Sequence, residues 1–188
     1  MFTLKSAFQF LLLASIFTFA SCNKDDEMHD HDHEEELITT LTYTLTPDGG
    51  GDAVVLSFQD VDGDGGNAPT ITTEALAANT TYTGVIELLN EAETPSENVT
   101  EEIEEEGTEH QFFFATDTNI TTAYTDMDNN NLPIGLASTL TTTDAGTGNF
   151  TITLRHEPDK NAEDVRDGDI TNAGGETDIE VTFAVVIE

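Results

Sequence analysis

Apolar and polar positions alternate along most of the chain beyond residue 36. Leu41, Tyr43 and Leu45 fall on one face while Thr40, Thr42, Thr44 and Thr46 fall on the other, and Phe150, Ile152 and Leu154 alternate with Thr151, Thr153 and Arg155. Near the C-terminus Ile179, Val181, Phe183, Val185 and Ile187 repeat every second residue. A period of two is that of a strand with one buried face. The pattern predicts nine strands, at about 37–46, 53–59, 70–76, 80–89, 110–116, 119–125, 135–143, 148–156 and 178–187, punctuated by Gly, Asn, Asp and Pro. Thr supports the assignment: 29 of its 31 copies follow residue 21, and its branched Cβ favours pleated, half-exposed surface over helix. The expected fold is all-β, an antiparallel, immunoglobulin-like β-sandwich of eight to nine strands occupying residues 37–188 as one domain.

One stretch changes period. Thr94-Pro95-Ser96-Glu97 has the form of a capping box with Pro at the first helical position, and Val99 and Ile103 stand four apart before Gly107. A single short helix is expected near 95–106. Its acids Glu101, Glu102, Glu104, Glu105 and Glu106 gather toward the C-terminus, where the helix dipole disfavours them, so they read as a solvated face.

The first 36 residues carry no strand pattern. Residues 1–21 read as a secretory signal: Lys5, then apolar Phe8, Phe10, Leu11, Leu12, Leu13, Ile16 and Phe17, then Phe19-Ala20-Ser21. Its apolar part is too short to span a bilayer. Cys22, the one cysteine, follows directly. The arrangement resembles a bacterial lipobox, in which the Cys sulfur is diacylated and becomes the first residue of a lipid-anchored protein. Acyl chains supply about 0.8 kcal/mol per buried methylene, and several on one Cys make a stable anchor. Residues 23–36 (NKDDEMHDHDHEEE) are polar almost throughout and are expected to form, with the lipidated Cys22, a disordered acidic and His-rich tether. The opening Lys24-Asp25-Asp26-Glu27 resembles the charged export signal of Bacteroidota lipoproteins, which implies an outer-membrane, surface-exposed location. The alternative is a periplasm-facing anchor.

Charge narrows the partners. The chain has 38 Asp+Glu against 5 Lys+Arg, a net charge of −33, and all the acids follow residue 21. Such a surface repels nucleic acid and anionic headgroups, so no nucleic-acid binding is expected and the membrane is met through the lipid anchor only. Divalent cations or a basic partner remain. A lone Cys excludes a disulfide framework and a Cys-rich zinc module.

Three constellations suit cations. His29, His31 and His33 alternate with Asp30 and Asp32, so in an extended segment three imidazoles point one way and suit Zn²⁺, Cu²⁺ or Ni²⁺. Asp60, Asp62 and Asp64 with Gly65 reproduce the first half of a Ca²⁺ loop, but position 12 is Ile71, which cannot supply the bidentate carboxylate. Asp126, Asp128 and Asn130, with Asn131 at the Gly position, form a poorer copy. Asp, Asn and Gly are equally the residues that plain turns require. The third is conditional. His110 and His156 stand at strand ends beside Glu109 and Glu157, and if those ends meet, two imidazoles and a carboxylate form a three-ligand metal site with open positions. Arg155, Lys160 and Arg166 cluster near Asp164, Asp167 and Asp169 and are expected to pair with them. No G-x-S-x-G and no Gly-rich phosphate loop before a helix occurs.

Several segments together, HEEELITT (33–40), FQDVDGDGGNAP (58–69), EHQFFF (109–114), LRHEPDK (154–160) and DITNAGGETDIEVTF (169–183), resemble a family of small flavobacterial lipoproteins. That family is often labelled type 1 periplasmic binding fold superfamily. The label implies a two-lobed α/β structure of repeated βαβ units, which short Thr-rich strands with one short helix cannot build, so the label is set aside.

The expectation is a non-enzymatic, lipid-anchored envelope protein that binds divalent cations, with Zn or Cu at the His tether and Ca at an Asp loop. The alternative is a module that docks onto an outer-membrane receptor or transporter without a metal function. A metal-dependent hydrolase centred on His110 and His156 is the third reading, and it turns on the distance between those two residues.

Overall fold

Ten strands and one short α-helix form among the described residues, 36–63 and 65–188, of the computed structural model. The strands are β1 (Thr40–Pro47), β2 (Val54–Gln59), β3 (Thr70–Thr73), β4 (Thr81–Asn90), β5 (Glu97–Asn98), β6 (His110–Thr116), β7 (Ile120–Tyr124), β8 (Ala137–Thr142), β9 (Gly146–His156) and β10 (Glu176–Ile187), and the helix is α1 (Val99–Glu105). One sheet runs β3-β2-β1-β4-β8-β7 with β5 beside β4, and the other runs β10-β9-β6. Every pair of named strands is antiparallel. The fold is an all-β sandwich, as the alternation predicts, and no helix among the described residues is long and apolar enough to cross a membrane.

The core is built from the inward positions read in the sequence. Leu41, Tyr43 and Leu45 of β1, Ile86 and Leu88 of β4, and Leu140 of β8 pack against Phe150, Ile152 and Leu154 of β9 and against Ile179, Val181, Phe183, Val185 and Ile187 of β10. Each such side chain, fully buried, contributes roughly 1.5–3 kcal/mol of hydrophobic stabilisation. Tyr43 stacks on Phe114 and Phe150 at 6.1 Å between ring centroids, and its hydroxyl makes a 2.7 Å hydrogen bond with Ser138 Oγ. Burial pushes the Tyr43 hydroxyl pKa up to about 12. That ring fits because residue 84 is glycine: a Cβ there would lie 2.5 Å from Tyr43 Oη.

Two local expectations are corrected. The helix begins at Val99, with Asn98 at the N-cap position making no side-chain capping hydrogen bond, and the expected box at Thr94–Glu97 does not form. Its backbone is used elsewhere, because Glu97 and Asn98 pair with Asn90 and Leu89 of β4 before the chain turns into α1. The expected apolar pair does hold the helix: Val99 and Ile103 are buried, and Thr100 Oγ1 donates to Leu88 O and accepts from Leu88 N. The third strand stops at Thr73 rather than 76, since Leu76 leaves it for a parallel bridge with Ile187 of β10.

The connection between β9 and β10 is packed, not loose. It makes two 3₁₀ turns, Val165–Asp167 and Ile170–Asn172, and tucks Val165 and Ala173 against Phe113 of β6. Lys160 does not pair with the acids of its own loop as the clustering suggests. Its side chain is 3% exposed, and the ammonium reaches Asp128 Oδ2 at 3.0 Å and the Gly107 carbonyl.

Candidate metal centre

The site forms where three strand ends converge. In the β6–β9 ladder His110 is the register partner of His156, and in the β9–β10 ladder His156 is opposite Glu176. Register partners in an antiparallel pair project to the same face, so the two imidazoles meet with ring centroids 4.7 Å apart. The condition left open by the sequence is therefore met.

A bulge supplies the third group. The β9–β10 register slips between Thr177, opposite Arg155, and Ile179, opposite Leu154, leaving Asp178 as the extra residue. Strict alternation would turn Asp178 outward beside Glu180 and Thr182. The bulge instead turns both Asp178 and Ile179 inward, and the Asp178 side chain is 0% exposed. The fourth group, Glu36, precedes β1 and enters from the other sheet's end of the chain with a side chain 5% exposed.

The four side chains converge. His110 Nε2 lies 3.1 Å from Glu36 Oε1 and 3.9 Å from Asp178 Oδ2, while His156 Nδ1 lies 3.5 Å from Glu36 Oε2 and 3.8 Å from Asp178 Oδ1. One ligand atom from each residue falls within 4.8 Å of all the others. Ligands at about 2.0–2.1 Å around a tetrahedral ion stand about 3.3 Å from one another, and each imidazole nitrogen has a Glu36 oxygen within 3.5 Å. His110 Nε2 and Glu36 Oε2 are buried and have no hydrogen bond of acceptable geometry.

Neighbours orient the ligands. His110 Nδ1 lies 3.2 Å from the carbonyl of Glu106, the residue that caps α1, and donation there leaves Nε2 facing the carboxylates. Burial opposes a charge on His110, but Glu36, the Glu106 carbonyl and Asp178 outweigh it and hold its pKa above the ordinary value. Burial also opposes the Glu36 charge, and His110 and His156 overcome it, so the Glu36 pKa is lowered. Glu102 of α1 is raised, by burial and then by the charges of Glu36, Glu106 and Glu97. Gly175, with φ 67°, fixes the His156 end: a Cβ there would lie 2.1 Å from the His156 carbonyl oxygen.

The other sequence candidates are not drawn together in this way. Cys22, His29, His31, His33 and Asp64 lie outside the described residues. Asp60 Oδ1 accepts from Gly63 N at 3.0 Å, and Asp62 Oδ2 accepts from Asn67 N and Nδ2 at 3.0 and 2.6 Å, which lowers the Asp62 pKa. Asp126 accepts from Gly135 N and Ala137 N. Asp128 accepts from Asn130 N and Leu132 N and pairs with Lys160, so a protein cation already faces it. Asn130 is exposed, and Asn131 takes φ 60°, the glycine-like conformation its place in the loop requires. Neither group of three or more potential ligands among the described residues contains Asp60, Asp62, Asp126 or Asp128.

Both histidines are legible in the sequence, but their inner partners are not the adjacent acids: Glu36 and Asp178 come from distant elements and stand among 38 acids with no distinguishing signal. Comparison of the chain with family models, with curated proteins and with solved structures finds no match.

Proposed function

We propose that this protein is a lipid-anchored envelope protein that holds one divalent transition-metal ion, Zn²⁺ being the natural occupant, between Glu36, His110, His156 and Asp178. The observation that carries the reading is the convergence of four ligand atoms within 4.8 Å, two of them imidazole nitrogens. Imidazole favours Zn²⁺ or Cu²⁺, while Ca²⁺ takes six to eight oxygens and finds too few here. Four protein ligands with side chains 0–12% exposed suit retention of an ion more than its presentation to a substrate. The reading is therefore non-enzymatic, and it moves the metal from the His29–His33 tether into the sandwich. Anchoring through Cys22 rests on the sequence alone.

Titration calorimetry of the chain from residue 23 with Zn²⁺ tests it. One ion per chain is expected, lost in His110→Ala and His156→Ala and retained when His29, His31 and His33 are all replaced by Ala. Zn²⁺ binding that survives both strand-end substitutions and vanishes with the tether histidines would return the site to the tether.

A further inference from the structure

The inner ligands are unequally accessible. His110 and Asp178 are 0% exposed, Glu36 is 5% and His156 is 12%, so the imidazole of His156 is the most open side of the cluster. It also belongs to a second group. Glu109, His156 and Glu157 place one ligand atom each within 4.8 Å of one another, and both glutamates are exposed.

The backbone explains why this outer group exists. Glu157 N donates to Glu109 O at 2.6 Å, which extends the β6–β9 ladder one step past the paired histidines. In a regular strand the side chains of that step would face away from the histidine face. Glu157 instead takes φ 50° and leaves the extended conformation, and Gly175 packs against its carbonyl so closely that a Cβ would lie 2.9 Å away. The carboxylates of Glu109 and Glu157 thereby stand on the solvent side of the imidazole whose Nδ1 faces Glu36 and Asp178.

We infer that Glu109 and Glu157 form an outer station at which a divalent transition metal is first bound, with His156 as the ligand shared between this station and the inner set. This rests on the reading of the inner four residues as a metal site. An ion arriving with its hydration shell exchanges waters for two exposed carboxylates, meets the His156 imidazole, and passes to the buried ligands as that ring turns from the outer to the inner group. Release runs along the same path in reverse. The station is transient, because a buried set with a second imidazole holds a transition metal more firmly than two solvated carboxylates do. The competing approach passes α1, where Glu102 stands near Glu36, but Glu36 leaves less of itself open than His156 does.

Stopped-flow mixing of the chain from residue 23 with Zn²⁺, and release of the bound ion into excess chelator, tests the route. The double variant Glu109→Gln/Glu157→Gln is expected to slow uptake about tenfold, because a local field that concentrates cations is removed, and to slow release by the same factor, because the affinity of the inner set is unchanged and both directions cross the same station. The control Glu93→Gln/Asp144→Asn removes two exposed acids elsewhere and should leave both rates at the wild-type value. Unchanged rates in the first variant overturn the route. So does slower uptake in Glu101→Gln/Glu102→Gln, which would place access at α1. Two Zn²⁺ ions per wild-type chain, one of them lost in Glu109→Gln/Glu157→Gln, would make the outer group a resident site and also overturn it. If wild type takes up Zn²⁺ only through the tether histidines, the inner site fails and the route fails with it.

Discussion

His110 and His156 begin and end neighbouring strands, yet they are direct register partners with ring centroids 4.7 Å apart. Two imidazoles facing two buried carboxylates leave a cluster whose charges are balanced by protons or by a metal ion.

Metal should stabilise the fold. At free Zn²⁺ 100 times the Kd, linkage predicts about 2.7 kcal/mol, or roughly 5–10 °C in Tm for a domain of this size. Thermal unfolding with Zn²⁺ and with chelator should show that gap in wild type and none in His110→Ala. A Tm insensitive to Zn²⁺ in wild type contradicts the site.

The pH dependence has opposite signs in the two forms. In the metal-free protein the raised His110 pKa gives stability that is fully present below the unfolded value of 6.5 and is lost as pH rises through the folded value. The lowered Glu36 pKa gives stability present above 4.5 and lost as pH falls through the folded value. Their joint contribution is greatest between those two unfolded values. Zn²⁺ must displace the His110 proton, so affinity should rise with pH through the folded His110 pKa, with proton release visible as buffer-dependent calorimetric heat. Glu36→Gln should weaken both trends.

Asp178 tests the bulge. Asp178→Asn keeps the shape and removes the charge, and it should weaken Zn²⁺ binding by about tenfold to a hundredfold or more, since even outer-shell partners of metal ligands carry effects of that size. Near-wild-type affinity in direct titration would show that the bulged residue does not ligate.

The Asp126–Asn130 loop should behave as structure. Lys160 and Asp128 are 3% and 1% exposed, and Asp128→Ala leaves a buried ammonium without its carboxylate, a loss of about 3–5 kcal/mol. Asp128 has a lowered pKa: burial opposes its charge, and hydrogen bonds from Leu132, Lys160 and Asn130 overcome that. Its stabilisation is present above the unfolded pKa and is lost as pH falls through the folded one. Urea unfolding should show the loss, while Ca²⁺ should give no protection in wild type; a Ca²⁺-dependent midpoint abolished by Asp128→Ala would restore the cation reading of this loop.

Gly84 offers a test of the core away from the site. Gly84→Ala places a Cβ against the Tyr43 ring and should cost about 1–3 kcal/mol by overpacking, read as a lower denaturant midpoint with unchanged slope. A midpoint equal to wild type would mean that the ring moves aside freely.

Alternation of Leu41, Tyr43 and Leu45 with Thr, and of Ile179, Val181 and Phe183 with Glu180 and Thr182, determined the strands and their buried faces, because side-chain direction in a strand has a local period of two. Val99 and Ile103 likewise marked the helix and its buried side. The start of α1 was not local, since pairing of Glu97 and Asn98 with β4 took backbone groups that the capping box would have used. The candidate metal centre depended on non-local facts throughout. The β6–β9 register chose which histidines meet, and the bulge in β10 turned Asp178 against its own period. Packing before β1 brought in Glu36, one acid of 38. Spacing along the chain records which way a side chain points within its own element, whereas a ligand set needs the distance between elements, and only the packed sheets fix that distance.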